Sequence, residues 1–202
     1  DKLVVNYSGV YDQGTNPFDP SSKFTIVSCS TVIAITRLAQ LIDVLALLDF
    51  PVKWVHFGDG ELMEDMKQKA AALPQNVEVV LKGRVSNDKI IKFYQEVPVN
   101  LFIHLSDTEG LGMAIVEAQG FGIPALAVEV GGVAEVVNKG TGKLVGLATS
   151  IEEIAAELSK IREGEVNTAA FRQKVKTHCM EKFNAEKNYL RFYNLMTNQN
   201  QA

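Results

Sequence analysis

The chain has 202 residues, 47% of them hydrophobic, with 20 basic and 24 acidic side chains for a formal charge of −4. That is enough apolar material for a sizeable core, and it excludes a disordered chain. The acidic balance leaves no basic stripe to neutralise a run of phosphates, which excludes a dedicated nucleic-acid binder.

Cys29 and Cys179 match no zinc or redox spacing and read as incidental thiols. The longest apolar stretch, Leu38 to Val55, is broken by Gln40, Asp43, Asp49, Pro51 and Lys53 and is too interrupted to cross a membrane. The opening residues, from Asp1, read as the interior of a longer protein.

Short β-branched runs alternate with longer helical ones. Leu3 to Tyr7 reads as a weak strand, followed by a Gly-, Pro- and Asn-rich loop over Asp12 to Ser22. Strands are then predicted at 25–27, 53–57, 77–81, 99–105, 124–128 and 142–145. The helices between them are predicted at 37–48, 61–73, 87–96, 113–120 and 131–137, with Pro51 and Pro74 as stops and Ser86 or Asn87 as a cap. Beyond this the pattern is helical only, at 150–161 and 167–196. Ser150 and Glu153 form a capping-box signature, and Phe183, Tyr189, Phe192 and Tyr193 give the tail an aromatic helix.

Strand–helix repetition of this kind predicts an α/β fold: a doubly wound, mostly parallel sheet with helices on both faces and a helical C-terminal extension. Ligands bind such sheets beyond the carboxyl ends of the strands, near the switch in strand order. The expected organisation is an interdomain segment at 1–22, a Rossmann-like domain at 23–165, and C-terminal helices at 166–202.

The informative rim segment is Ser106-Asp107-Thr108-Glu109-Gly110-Leu111-Gly112-Met113, which follows a strand and opens a helix. Gly110 and Gly112 let backbone approach a ligand, and free N–H groups of the first helical turn favour an anion such as a diphosphate. Glu109 stands on the loop and Glu117 about one turn inside the helix. Two carboxylates at different depths beside a phosphate site suit hydroxyls on either side of it, such as those of a ribose and a hexose.

Gly131-Gly132, directly after a strand, reads either as a second anion nest or as a tight turn. Arg84 is open between a contact to base or phosphate and a solvated side chain. His56 and His104 read as core or rim histidines, and no metal spacing joins them to His178. Neither a Gly-x-Gly-x-x-Gly nor a Walker motif opens a helix.

Taken together, Ser106-x-x-Glu109-Gly110, Glu117-Ala118, Gly122-x-Pro124, Gly131-Gly132-x-x-Glu135 and Trp54-x-x-Phe57-Gly58-Asp59-Gly60 resemble one family. It is the C-terminal, donor-binding domain of retaining GT-B glycosyltransferases, group 1 and family 4 type, and the likeness runs from about Lys23 to Met196. The resemblance implies a transferase that moves a hexose from a UDP- or GDP-sugar to a glycan or lipid-linked acceptor with retention. Glu109 would contact the transferred sugar as the catalytic residue. Gly110, Leu111 and Gly112 would hold sugar hydroxyls and phosphate, Glu117 the ribose, and Arg84-Val85 the base, with Gly131 and Gly132 completing the anion site.

It further implies no cofactor and no metal. Its partners would be the nucleotide-sugar donor and an acceptor domain outside this chain. The setting would be cytoplasmic, at the inner face of a membrane, in polysaccharide synthesis. An aromatic tail separated from that second domain would promote self-association.

The sequence departs from the family at two cationic positions near the diphosphate. Thr31 and Thr36 stand where an arginine and a lysine are usual, and Arg37 lies one residue beyond the second. The alternatives are therefore a non-catalytic nucleotide-sugar-binding or scaffold domain, and a GT-B sugar-nucleotide epimerase.

Overall fold

The computed structural model describes residues 3–198. Six parallel strands form one sheet: β1 (Phe24–Cys29), β2 (Val52–Phe57), β3 (Val77–Leu81), β4 (Leu101–His104), β5 (Ala125–Val128) and β6 (Gly142–Val145). Their spatial order is β3-β2-β1-β4-β5-β6, so the chain reverses direction of travel between β1 and β4. Ile26 pairs with Leu101 and Val27 with Phe102 across that switch.

The four inner strands are buried on both faces while β3 and β6 form partly exposed edges, and alternate residues feed two separate cores. Ile26, Val52, Trp54, Ile103 and Leu126 face α1 (Leu38–Ala46), α2 (Met63–Ala71) and α6 (Ile151–Glu163). Val27, Phe57, Phe102 and Ala127 face α3 (Asn87–Glu96), α4 (Met113–Gly120), α5 (Val133–Val136) and α7 (Ala169–Lys182). Helix α1 buries Leu38, Leu41, Ile42 and Leu45, the three-to-four spacing that lays one apolar stripe on a sheet. At the start of α6 the capping box forms: the Glu153 amide donates to Ser150 Oγ, and the Ser150 amide to Glu153 Oε2.

Two expectations are corrected. Leu3 to Tyr7 is not a strand; the segment runs as a strap against the C-terminal helices, with Asn6 donating to the Asn188 carbonyl and Tyr7 packed edge-on against Phe183. Val10 exchanges backbone hydrogen bonds with Phe183 and Ala185, and the Asn16 amide donates to the Phe121 carbonyl. The tail is also not one helix. It breaks at Phe183-Asn184, where the strap crosses, into α7 and α8 (Ala185–Asn198).

Beneath the strap lies a buried polar knot. Arg172, 3% exposed, donates to the Val99 carbonyl at 2.8 Å and to Asn16 Oδ1 at 2.7 Å, with Phe18 against its guanidinium. Asn16 in turn donates to the carbonyls of Tyr94 and Val97. Burial lowers the Arg172 pKa to about 10, yet the guanidinium stays charged because carbonyls and a ring face solvate it.

Candidate functional site

The carboxyl ends of the strands form a rim whose loops are knitted together by backbone. After β1, the Ser30 amide donates to Phe57 and the Val32 amide to Asp59. After β2, the Gly58 amide donates to Gly83. Gly58 has φ +143°, and a Cβ there would stand 1.8 Å from the Ser30 carbonyl oxygen, so the close approach requires glycine.

Between these loops opens a cavity of about 240 Å³, lined by Cys29, Ser30, Thr31, Asp59, Arg84 and Val85 among others. It gathers the Arg84-Val85 pair and the Ser30-Thr31 segment, which are more than fifty residues apart in sequence. A larger cavity, of about 600 Å³, lies at the opposite end of the sheet, beside Lys23 and Asn100, away from this rim.

On the other side of the switch, Gly112 takes a left-handed conformation (φ 85°, ψ 56°) and starts α4, whose amino end points into the rim. Glu109 stands just before it, its side chain 28% exposed. One carboxylate oxygen accepts from the Gly110 amide at 2.9 Å. The other lies 3.1 Å from Nε2 of His104, which is only 6% exposed at the end of β4. Burial pushes the His104 pKa down and the adjacent Glu109 carboxylate partly opposes it.

Sequence reasoning had His104 as a core or rim histidine and missed this contact. The available signal was its place at a strand's carboxyl end, five residues before Glu109.

Glu117 is half-buried on α4. Burial raises its pKa, and a hydrogen bond donated by Asn87 Nδ2 at 3.1 Å opposes the rise. That partner was also missed: Ser86 occupies the N-cap position of α3, and the Asn87 side chain instead reaches across to α4. No local motif announces a contact between residues thirty positions apart.

Gly131-Gly132 is a clasp. The Gly132 amide donates to the Gly110 carbonyl at 2.7 Å, and a Cβ on Gly131 would meet the Glu109 carbonyl oxygen at 1.8 Å. The anion-nest expectation is corrected for the Gly132 N–H, which is already committed; the pair instead holds the Glu109 loop in place.

Arg37 has φ 54°, and among the described residues it is the one non-glycine with positive φ. Its side chain is tied to Asp107 Oδ1 at 3.3 Å and to the Leu147 carbonyl at 3.1 Å. Thr36 is turned inward, its hydroxyl donating to the Ile33 carbonyl at 2.8 Å. Thr31 is exposed at the cavity. Arg37 is thus shared with a carboxylate, and the two threonines add no charge.

A profile of the family described as glycosyl transferases group 1 matches residues 17–178 of this chain. The chain belongs to the group 1 glycosyltransferases. Within that family it is 25% identical over 171 residues to N-acetyl-alpha-D-glucosaminyl L-malate synthase of Bacillus anthracis, covering 82% of this chain and 43% of that protein. It is 25% identical over 105 residues to sulfoquinovosyl transferase SQD2 of Arabidopsis thaliana, 52% of this chain and 19% of the relative. The glycosyltransferase chain therefore spans less than half the length of these relatives.

In fold it resembles the lipopolysaccharide outer core galactosyltransferase WaaB in its apo form, with a TM-score of 0.82 over 97% of this chain and 56% of that one, at 20% identity. It also resembles Anabaena Alr3699/HepE in complex with UDP, at a TM-score of 0.81 and 22% identity over 96% of this chain and 57% of that one. The six-stranded parallel sheet with its helices is thus of the GT-B, Rossmann-like kind.

Among the described residues no helix is long and apolar enough to cross a membrane, and no cluster of three or more metal-ligating side chains occurs.

Proposed function

We propose that this chain is the donor-binding half of a retaining glycosyltransferase that takes a hexose from a UDP- or GDP-sugar. The observation that carries the reading is that the Arg84-lined cavity, Glu109 before α4 and Glu117 on α4 stand at the carboxyl ends of the strands around the switch between β1 and β4, with Glu117 acting on the Cys29 thiol that lines the cavity. A doubly wound sheet binds its ligand at that place. The known HepE structures with UDP and with UDP-glucose support the choice of donor class.

On this reading each residue has a task its geometry suits. The base enters the cavity beside Arg84 and Val85, and the Glu117 carboxylate accepts from the ribose hydroxyls. Glu109, held by the Gly110 amide with His104 Nε2 3.1 Å from its other oxygen, accepts from a hydroxyl of the transferred sugar and orients it. The N–H groups of Leu111 and Gly112 and the amino end of α4 face the developing charge on the departing diphosphate, the main electrostatic demand of the reaction. Arg37 adds positive charge, reduced by Asp107.

Neither metal nor cofactor takes part on this reading. The acceptor, a glycan or a lipid-linked sugar, is bound by the half of the longer protein that this chain does not contain. Transfer therefore requires that half to bring the two reactants together. Polysaccharide synthesis at the cytoplasmic face of a membrane is the setting that goes with it.

The inward turn of Thr36 and the pairing of Arg37 favour a second reading, a domain that binds nucleotide-sugar without turning it over. Donor consumption once the acceptor half is present separates the two.

The first test is calorimetric titration of the 202-residue chain with UDP, GDP and their hexose conjugates. A saturable signal for one base, weakened about tenfold or more in Glu117→Ala, is expected from loss of charge-assisted hydrogen bonds. A folded chain that binds none of them refutes the reading.

A further inference from the structure

Among the described residues the half-buried Glu117 carboxylate has a single hydrogen-bond partner. β1 and α3 present titratable or polar groups to it, and the strap's Tyr11 and Gln13 line a cavity of about 160 Å³ together with Glu117 and Asn87. From β1 comes the Cys29 thiol, pushed up to about 11 by burial with a contribution from Glu117. From α3 comes the Tyr94 hydroxyl, fully buried and raised well above its ordinary value, again mainly by burial. Both stay protonated and uncharged wherever a carboxylate titrates, and neither offers a countercharge.

Asn87, also on α3, is the exception. Its Nδ2 donates to Oε1 at 3.1 Å and is the one interaction that favours the ionised form against the burial that raises it. The bond also fixes direction, because a carboxylate held at one oxygen presents the remaining lone pairs of both oxygens along a defined line.

The placement adds to the case. Asn87 is the first residue of α3, directly after the Gly83–Ser86 turn whose Arg84 and Val85 line the 240 Å³ cavity. One short stretch of chain therefore carries both the cavity wall and the grip on Glu117. Asn87 is itself solvent-exposed, so packing does not account for its orientation.

We propose that Asn87 aims the Glu117 carboxylate at a nucleotide's ribose diol and makes the site selective for ribonucleoside over 2′-deoxyribonucleoside diphosphates. This rests on the donor-site reading above and adds a positioning residue to it. Removing the amide leaves Glu117 free to rotate and lets burial raise its pKa further, so the ionised form is reached only at higher pH.

The test is calorimetry of the 202-residue chain with UDP and 2′-deoxy-UDP, and with GDP and 2′-deoxy-GDP, from pH 5 to 8. It is run on the natural chain, Asn87→Ala and Asn87→Asp. The natural chain is expected to prefer the ribonucleotide about tenfold, with affinity rising as pH passes upward through the Glu117 pKa. In Asn87→Ala the preference falls to about twofold and the pH midpoint moves upward, while 2′-deoxynucleotide affinity is unchanged. In Asn87→Asp the like charge moves the midpoint further in the same direction. Both variants are expected to fold and to melt slightly lower above the Glu117 pKa, by the same linkage that raises it, and to match the natural chain at acid pH.

A ribose preference and midpoint retained in Asn87→Ala overturns this proposal and leaves the donor-site reading standing. A natural chain that binds both members of each pair equally, or neither, overturns the role of Glu117 itself and this proposal with it.

Discussion

His56 on β2 has no exposed surface. Its Nδ1 lies 2.8 Å from Ser28 Oγ, and that oxygen already accepts the Trp54 indole N–H at 2.9 Å. The serine hydroxyl is free to donate to Nδ1 while it accepts from Trp54, an arrangement that suits a neutral imidazole. Burial drives its pKa from 6.5 to about 4, a backbone contact to Ser30 opposing weakly.

The linkage follows directly. The folded-state value lies below the unfolded one, so the contribution to stability is complete above pH 6.5 and is lost as pH falls towards 4. A depression of this size corresponds to about 3 kcal/mol across that window. His104, also depressed, adds a slope of the same sign. Urea unfolding between pH 4 and 7.5 should show stability declining with acid, and His56→Gln should flatten much of the decline. An unchanged slope in that variant means His56 is not the acid-sensitive group.

At the scale of elements, the loops of the rim are positioned by one another. Gly131 has φ +51°, and any side chain there would strike the Glu109 carbonyl, while the next amide bonds to Gly110. Gly83 has a similar backbone (φ +66°) but open space where a Cβ would be. The two glycines separate conformational strain from collision. Gly83→Ala should cost about 1 kcal/mol, the left-handed penalty alone. Gly131→Ala should cost roughly twice that or more, because the Glu109 loop must move. On the donor-site reading it should also abolish the extra affinity of a hexose conjugate over the bare nucleotide. Paired melting curves and titrations check both; equal losses in the two variants would show that the clasp does not set the loop.

This clasp also marks what the sequence could and could not disclose. Strand–helix alternation, the Pro51 and Pro74 stops and the Ser150 cap gave the order of elements, because each is a local signal. β3, α3, α4 and β6 fall on the predicted bounds, whereas β4 is shorter than the run from Val99 to Leu105, whose apolar ends are buried beyond the strand pairing. The placement of Glu109 on a loop and of Glu117 about one turn inside α4 was legible from spacing beside glycines. Their partners were not: His104 meets Glu109 through a chain reversal, and Asn87 meets Glu117 through the packing of α3 on α4. The Arg172–Asn16 knot, spanning 156 residues, has no local signature at all. Non-local pairing hid the Asn87–Glu117 and Arg172–Asn16 contacts, whereas the His104–Glu109 contact, five residues apart, depends on the path of the loop between them.

At the scale of the whole molecule, α8 ends the described chain with its apolar side uncovered. Tyr189, Phe192, Tyr193 and Met196 are each more than half exposed and recur at the spacing of one helical stripe. The first turn of α8 is fastened down: the Asn188 side chain donates to the Lys182 carbonyl, and the Asn188 carbonyl accepts from Asn6 in the strap. The stripe is presented beside the strap, in which Val4, Val5 and Tyr11 are also exposed. A patch of this kind associates when nothing covers it. The isolated 202-residue chain is accordingly expected to show concentration-dependent dimerisation in sedimentation velocity. Phe192→Glu combined with Tyr193→Glu should keep it monomeric, by placing two charges in the centre of the stripe where desolvation would be costly. Nucleotide affinity should not change in that variant, because none of the rim residues lies on α8. A natural chain that stays monomeric throughout, or a double variant that still dimerises, would show that the aromatic stripe does not drive association.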